Sequence, residues 1–441
     1  MAYYGIDLGT TNSLIGRGNE LYSGLVSSSV NISEAKQCDR NCVGEDIISS
    51  YKTDMTIGSE GKLPIACSSI ILKELAEQAG RRVGERVEDV VISVPAKFSF
   101  TQRKAVWKAG EEAGLTVKGL INEPTAAAIY VCQDVKNLIM VYDLGGGTFD
   151  ITLIDSRAGN YYVVATEGGI LAGDDFDEAI VQFIFASMNI KTRYRIASNM
   201  QKIKLRVRQA KEALQKTMLT QYISMEGFGV DTDFALTVED YVALMKNTFE
   251  ETVTLTKRVM AKNLNAYEKP QLVFVGGSTA CPFLRAWVQD EVGLDCVECD
   301  CAPDYIVAKG VALYAEMLEN GTAAEEIVDV TKRLCIEDDR GMTLTVIDKD
   351  TNIPTSGVIL IENKTDSDTL TINLYQGDSI LTSECEYVGT MSYDYGEVMP
   401  AGTGVVELTI IVDRDGIITI KGYNINTGTE QEATIIMNNV E

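Results

Sequence analysis

Two stretches of the chain repeat one pattern of residue types: Ile6-Asp7-Leu8-Gly9-Thr10-Thr11 and Tyr142-Asp143-Leu144-Gly145-Gly146-Gly147-Thr148-Phe149-Asp150. In each, an aspartate closes an apolar run, glycine follows, and hydroxyl residues come next. This combination suits the polyphosphate tail of a nucleotide. Glycines allow tight turns whose N–H groups point at phosphate oxygens, and threonine hydroxyls add donors. Asp7, Asp143 and Asp150 are carboxylates of the kind that hold Mg2+ through its water shell, because that ion dehydrates reluctantly. A single Asp-x-Gly-x-Thr is an ordinary turn. Two copies, each behind a buried-type strand, predict a clamp closing on one phosphate chain and its metal from both sides. A third run, Leu272-Val273-Phe274-Val275-Gly276-Gly277-Ser278-Thr279, is again strand, double glycine, hydroxyl. Gly276, Gly277 and Ser278 there fit a backbone closely approached by a nucleoside. None of these sites carries Gly-Lys-Ser/Thr or Gly-x-Gly-x-x-Gly, so neither a P-loop nor a dinucleotide fingerprint is indicated.

Composition narrows the chemistry further. The 441 residues include no histidine. Ser-His-Asp and Cys-His hydrolases, His-ligated zinc or haem, and phosphohistidine chemistry are therefore excluded. Catalysis must run on carboxylates, lysine, hydroxyls, metal and backbone dipoles. Lys+Arg number 39 against 64 Asp+Glu, a formal net charge of −25, which argues against nucleic acid or an anionic membrane as partner. A phosphate cradle must then be a local exception to the overall field. Apolar runs such as Leu138 to Tyr142 are far too short to span a bilayer. The first residues lack a basic stretch leading into an apolar one, so a cytoplasmic protein is expected. Among ten cysteines, Cys296, Cys299 and Cys301 cluster, with Cys281 upstream. No second Cys-x-x-Cys pair follows at zinc spacing, so reduced thiols acting as small hydrophobes are the expectation.

The elements that must carry these residues follow from the sequence pattern. Before about residue 325, strand-like and helix-like runs alternate; after it, nearly everything alternates in twos between Gly, Asn and Asp turns. An α/β region followed by an all-β region is predicted. Residues 324–330, Ala-Glu-Glu-Ile-Val-Asp-Val, read as a linker that can dock. Ser99 with Gln102 and Thr237 with Asp240 resemble capping boxes, opening helices over Thr101–Ala113 and towards Leu264. Pro124 suits the first position of a helix Thr125–Val131, and Met200–Leu219 reads as another helix. Strands are expected around Thr343–Ile347, Val358–Ile361, Leu370–Leu374, Val405–Ile411, Ile417–Ile420 and Glu432–Ile436. Asp413-Arg414-Asp415-Gly416 is a hairpin turn between two of them.

In combination, IDLGTTNSL (Ile6 to Leu14), VISVPAKF (Val91 to Phe98), INEPTAAA (Ile121 to Ala128), VYDLGGGTFD (Val141 to Asp150), GDDFD (Gly173 to Asp177) and VGGST (Val275 to Thr279) resemble the heat-shock protein 70, or DnaK-type, chaperones. The resemblance runs from residue 2 to about 437. It implies an actin-like ATPase fold of two ribonuclease-H-like lobes over residues 1–324, a linker at 325–330, and a β-sandwich that binds extended peptides over 331–441. It implies ATP or ADP with Mg2+, and K+ as a candidate companion cation. By position, Lys52 matches the family's catalytic lysine and Glu123 the glutamate near the attacking water. Asp143, Thr148 and Asp150 match the second phosphate loop and its carboxylates, with Thr148 on the γ-phosphate side. Lys211 matches the nucleoside-side lysine; Pro95 and Arg103 match residues that relay nucleotide state between domains. Ile336, Ile359, Leu370 and Ile372 fall at or near peptide-pocket positions. The resemblance also implies unfolded or extended peptides as partners, and a linker around Asp329 that docks in the ATP state.

Departures from the family pattern shape further expectations. The stretch between the first phosphate loop and Val91 is short, so a trimmed upper subdomain of the first lobe is expected. Arg208 replaces a glutamate and Ala280 an adenine-covering arginine, which removes adenine-side contacts. Gly119 replaces an arginine used with J-domain partners, which argues against a conventional J-protein. Asp339 stands near an apolar arch position, and an acidic rim would favour peptides with basic flanks. No helical lid follows within the 441 residues, so rapid peptide release is expected. The reading is thus a slow, ATP-hydrolysing, lidless DnaK-type chaperone. Its rivals are a non-hydrolysing scaffold using the β domain for protein binding, and a sugar kinase or filament protein sharing the ATPase fold.

Overall fold

The computed structural model describes residues 2–39, 41–42, 44, 46–55, 62–132, 137–157, 160–169, 171–265, 268–323, 326–329, 333–349 and 351–433. Its contacts divide into two units: Met1–Thr53, Ala66–Ala96 and Ala109–Glu325 form one, and Asp54–Ile65, Lys97–Lys108 and Glu326–Glu441 the other.

The first unit is built twice on one plan. One sheet orders Glu20–Leu21, Asn12–Arg17, Tyr3–Asp7, Asp89–Val94 and Thr116–Asn122 side by side. The first three strands run antiparallel, and Asp89–Val94 and Thr116–Asn122 then add in parallel. The other sheet repeats the arrangement. Leu138–Leu144, Phe149–Asp155 and Tyr161–Gly169 are antiparallel, and Gln271–Val275 lies parallel to the first of them. Strand Leu138–Leu144 shows why helices cover both faces. Its side chains alternate between two cores, Met140, Tyr142 and Leu144 into one, Ile139 and Val141 into the other. Helices Gly173–Ser187, Ala197–Thr217 and Val238–Asn263 supply the first core, with Phe176, Val207 and Phe249 among their buried residues. Glu123–Val131 and Pro303–Glu319 supply the second, through Ala126, Ile129, Val307 and Val311.

Local signals set the helix starts. Thr237 Oγ1 accepts from the Asp240 N–H at 3.0 Å and the Asp240 carboxylate accepts from the Thr237 N–H at 3.3 Å, a complete capping box before Val238–Asn263. Before Phe100–Glu112, Ser99 Oγ accepts from the Gln102 N–H at 3.4 Å and Gln102 Oε1 accepts from the Ser99 N–H at 3.0 Å. Pro124 lies in the first turn of Glu123–Val131. The helix expected over Met200–Leu219 begins earlier and ends sooner, at Ala197–Thr217, because Met218 turns left-handed with φ +54°.

From Leu334 onward the second unit is antiparallel β. One sheet orders Thr343–Ile347, Leu334–Glu337, Ser367–Gln376 and Glu386–Met399; the other orders Thr355–Glu362, Val405–Val412, Ile418–Asn424 and Glu430–Ala433. Alternate residues point between them: Ile336, Leu370, Ile372, Leu374, Met391 and Tyr393 from one sheet meet Val406, Leu408, Ile410 and Ile420 from the other. Tyr393 closes the sandwich by donating its hydroxyl to the Thr429 carbonyl at 3.1 Å. The expected turn at Asp413–Gly416 is formed, the Gly416 N–H donating to the Asp413 carbonyl at 3.1 Å. The expected strand Glu432–Ile436 is seen as Glu430–Ala433, and its continuation lies outside the described residues. Of the expected linker 325–330, Glu326–Asp329 forms a short strand paired with Asn352–Ile353; residues 325 and 330 lie outside the described set. Among the described residues, no helix is long and apolar enough to cross a membrane.

Candidate functional site

Asp7 and Asp143 stand at corresponding points of two hairpins. Asp7 ends Tyr3–Asp7 opposite Leu14, and Asp143, one residue from the end of its strand, pairs with Asp150. Each turn is tied internally: the Gly9 N–H donates to Ser13 Oγ at 3.1 Å, and the Gly145 N–H to the Thr148 carbonyl at 3.1 Å. The two tips meet. A methyl group on Gly146 would collide with Thr11 Oγ1 and force that hydroxyl to turn away, so glycine eases the close approach of the two hairpins. Gly276 holds φ +83°, and a side chain there would press on the Leu144 carbonyl and on Asp143 Oδ1 at 2.8 Å.

One crevice gathers the residues singled out from the sequence. Asp7, Gly9, Thr10, Thr11, Lys52, Pro95, Glu123, Asp143, Gly145, Gly146, Thr148, Gly276 and Gly277 all line it. Lys52, on the short helical turn Tyr51–Asp54, is only 3 % exposed. Its ammonium donates to the Leu8 carbonyl and lies 2.5 Å from Glu123 Oε1. Glu123 opens a helix whose N-terminal dipole favours a carboxylate. Asp7 Oδ1 accepts from Ser93 Oγ at 2.7 Å.

The electrostatics are those of buried carboxylates that crowd one another. Burial pushes the Asp7 carboxyl up to about 6; Glu123 and Asp304 add to the rise, while Lys52 and the Ser93 hydroxyl oppose it. Asp143 is held well above the usual carboxylate range, first by burial and then by Glu123, Asp150 and Asp7. Lys52 is the cation that opposes the rise at both aspartates. An all-oxygen donor set with surplus negative charge fits a hard divalent ion such as Mg2+.

Other expected residues lie elsewhere. Gly147, Asp150, Lys211 and Ser278 are not part of the crevice lining. Asp150 sits across the ladder from Asp143, and Ser278 Oγ donates to the Gly145 carbonyl at 3.1 Å from behind the loop. Lys211 donates to the Gly173 carbonyl at 2.7 Å and pairs with Asp177 at 2.7 Å. Arg208 pairs with Asp174 at 2.9 Å and with Asp177 at 3.0 Å. Ala280 ends the turn Gly277–Ala280, where Arg285 Nε donates to the Thr279 carbonyl at 2.6 Å. Arg103 is buried in the second unit, Nε donating to the Phe98 carbonyl and its stem lying against Gly416. Ile336, Leu370 and Ile372 are buried in the sandwich, whereas Ile359 is half-buried on the strand Thr355–Glu362. Asp339 is not a bare acid, because Lys364 lies 3.8 Å away. The Cys299 thiol is pushed up to about 11, chiefly by burial, so it stays protonated near neutrality.

The sequence reading missed Asn12, Leu25, Val275, Pro303, Asp304 and Val307 in the lining. Asp304 is the consequential one, since its charge reaches Asp7. Ala302-Pro303-Asp304 signals only a helix start, where an acid is an ordinary end-cap. Nothing local says that this helix end faces a carboxylate site.

Comparison with known proteins places the sequence in a family. Residues 36–440 match the family model described as Hsp70 protein. The chain is also 30 % identical over 472 aligned positions to the Chaperone protein DnaK of Mycoplasmopsis pulmonis (strain UAB CTIP), covering 98 % of this chain and 78 % of that relative.

Proposed function

The chain belongs to the Hsp70 protein family, and on that premise we propose how its residues divide the work. It is an ATP-dependent, DnaK-like chaperone whose enzymatic activity is ATP hydrolysis. Thr10, Thr11, Gly145, Gly146 and Thr148 hold the phosphates by backbone N–H groups and hydroxyls, with Thr148 towards the γ-phosphate. Asp7 and Asp143, backed by Asp150, would hold Mg2+ through its water shell. When bound, that ion neutralises charge developing on the phosphates. Glu123 and Lys52 orient the attacking water: the carboxylate accepts from it, and the ammonium, fixed by Leu8 and Glu123, donates towards the phosphoryl oxygens. No residue here forms a covalent intermediate; the rate comes from positioning and charge.

The observation that carries this reading is the Lys52–Glu123 pair, 2.5 Å apart, in a crevice with two aspartates forced above their ordinary range. Residues 1–324 would then hold nucleotide, 325–330 link, and 331–441 take extended peptide segments against apolar residues such as Ile336, Ile359, Leu370 and Ile372. In support, every crevice residue precedes position 324 and the facing antiparallel sheets follow 333. A cytoplasmic location is part of the same proposal, supported by the similarity to a DnaK relative. Lys364 reduces the acidity around Asp339 but is shared with Glu362 at 3.5 Å, so a surplus negative charge remains to favour basic peptide flanks.

Steady-state hydrolysis of saturating Mg-ATP by wild type and Asp143→Asn tests the assignment. The variant should lose roughly 10- to 100-fold in rate, the usual cost of disturbing a metal's outer partners. Equal rates would remove Asp143 from the machinery.

A further inference from the structure

Arg208 lies where a nucleoside-side carboxylate was expected, yet it is engaged wholly within the protein. Its Nη2 meets Asp174 Oδ1 at 2.9 Å and its Nε meets Asp177 Oδ2 at 3.0 Å, with the side chain about a quarter exposed. Asp174 uses its second oxygen differently: Oδ2 accepts from Ser50 Oγ at 2.7 Å. The Asp174 N–H donates to the Gly146 carbonyl at 2.8 Å, on the second phosphate hairpin. Asp174 therefore touches the helix Ala197–Thr217 and the segment leading to Lys52 through its carboxylate, and the phosphate loop through its backbone N–H.

Ser50 is no ordinary loop residue. It holds φ +56°, a conformation that a serine keeps only when its surroundings fix it. Two residues on, Lys52 places its ammonium between Leu8 and Glu123. The same segment is tied to the same helix twice more: Gln209 Nε2 donates to Asn41 Oδ1 at 2.7 Å and Gln201 Nε2 to the Gly44 carbonyl at 3.1 Å. Lysine has four rotatable bonds and no planar fork to orient it, so its aim depends on where its backbone is held.

We propose that Arg208 is a positioning residue for hydrolysis: by holding Asp174 it fixes Ser50, and through Ser50 it sets the ammonium of Lys52 against Glu123. An arginine suits the task because its planar fork engages two carboxylates at once in fixed geometry. The chain Arg208–Asp174–Ser50 aligns the reacting groups rather than gripping adenine. Its substitution accordingly acts on turnover more than on nucleotide affinity. The inference rests on Lys52 and Glu123 being the groups that steer the water.

The test compares wild type with Ser50→Ala, Arg208→Ala, Arg208→Lys, the double variant Ser50→Ala/Arg208→Ala, and Lys52→Ala. Single-turnover hydrolysis gives the rate, titration of Mg-ATP gives Kd, and mass spectrometry follows acylation of Lys52 by an activated ester without nucleotide. Ser50→Ala and Arg208→Ala should each slow hydrolysis roughly tenfold, as misplacement of a reacting group does, with Kd changed less than about threefold. The double variant should be no slower than either single one, because all three residues act as one chain. Lys52 should be acylated faster in each, and Arg208→Lys should recover only part of the rate. Multiplying single effects, a loss confined to Kd, or unaltered rates with unaltered acylation would each overturn the proposal. If Lys52→Ala hydrolyses at the wild-type rate, the underlying reading of the cleft fails instead. A slow Lys52→Ala beside fast Ser50→Ala and Arg208→Ala removes only the positioning chain.

Discussion

The crevice aspartates illustrate how one residue can oppose stability and serve function. An ordinary carboxyl titrates near 4, whereas burial and Glu123 hold Asp7 protonated up to about 6. Below about pH 4 it is protonated in folded and unfolded chains alike and contributes nothing. As pH rises to about 6, the unfolded chain releases a proton that the folded chain retains, so folding loses stability through this window. Above it the loss is complete. A divalent cation bound against Asp7 would offset this loss by stabilising the ionised carboxylate. With ADP present throughout, the rise in Tm produced by Mg2+ should therefore be small at pH 5 and larger at pH 7. An equal rise at both would mean that the metal does not sit against Asp7. Carboxylates lowered by surface arginines, such as Asp155 and Glu167, titrate in the opposite sense, and the difference with and without Mg2+ cancels them.

At the scale of elements, the site depends on helices that never touch it. Val238–Asn263 packs Tyr241, Met245, Phe249 and Val253 against the sheet bearing Asp143, and Tyr142 donates its hydroxyl to Thr252 Oγ1 at 2.6 Å. The start of this helix rests on Thr237 and Asp240. Thr237→Ala removes one arm of the capping box and should cost about 1 kcal/mol in denaturant unfolding. Saturated hydrolysis should stay unchanged, since the cap lies outside the crevice lining. A drop in rate with unaltered stability would contradict this separation. The capping boxes were legible in the sequence because both partners lie within one turn. Helix ends were less legible: Met218 stops Ala197–Thr217 by turning left-handed, which its residue type does not announce.

For the whole molecule, a formal net charge of −25 coexists with the use of an anionic nucleotide. Backbone donors, threonines, Lys52 and the metal must make the crevice a local exception, because long-range steering works against it. Mg-ATP should bind the folded chain alone and raise its stability by about 2.7 kcal/mol at a hundredfold excess over Kd. ATP with EDTA should do so far less, as measured by thermal unfolding. A shift independent of the metal would mean that the carboxylates do not share the load.

The sequence by itself determined the two aspartate–glycine hairpins, the strands behind them and the alternation of the later β region. Those features depend on neighbours a few residues apart, where turn chemistry and side-chain period act. Only the tertiary structure decided that Gly146 lies against Thr11, that Asp304 joins the carboxylates, and that Arg208 reaches Asp174. Each of these joins residues 34 or more positions apart, where contact depends on how the sheets stack and no local pattern records the partner.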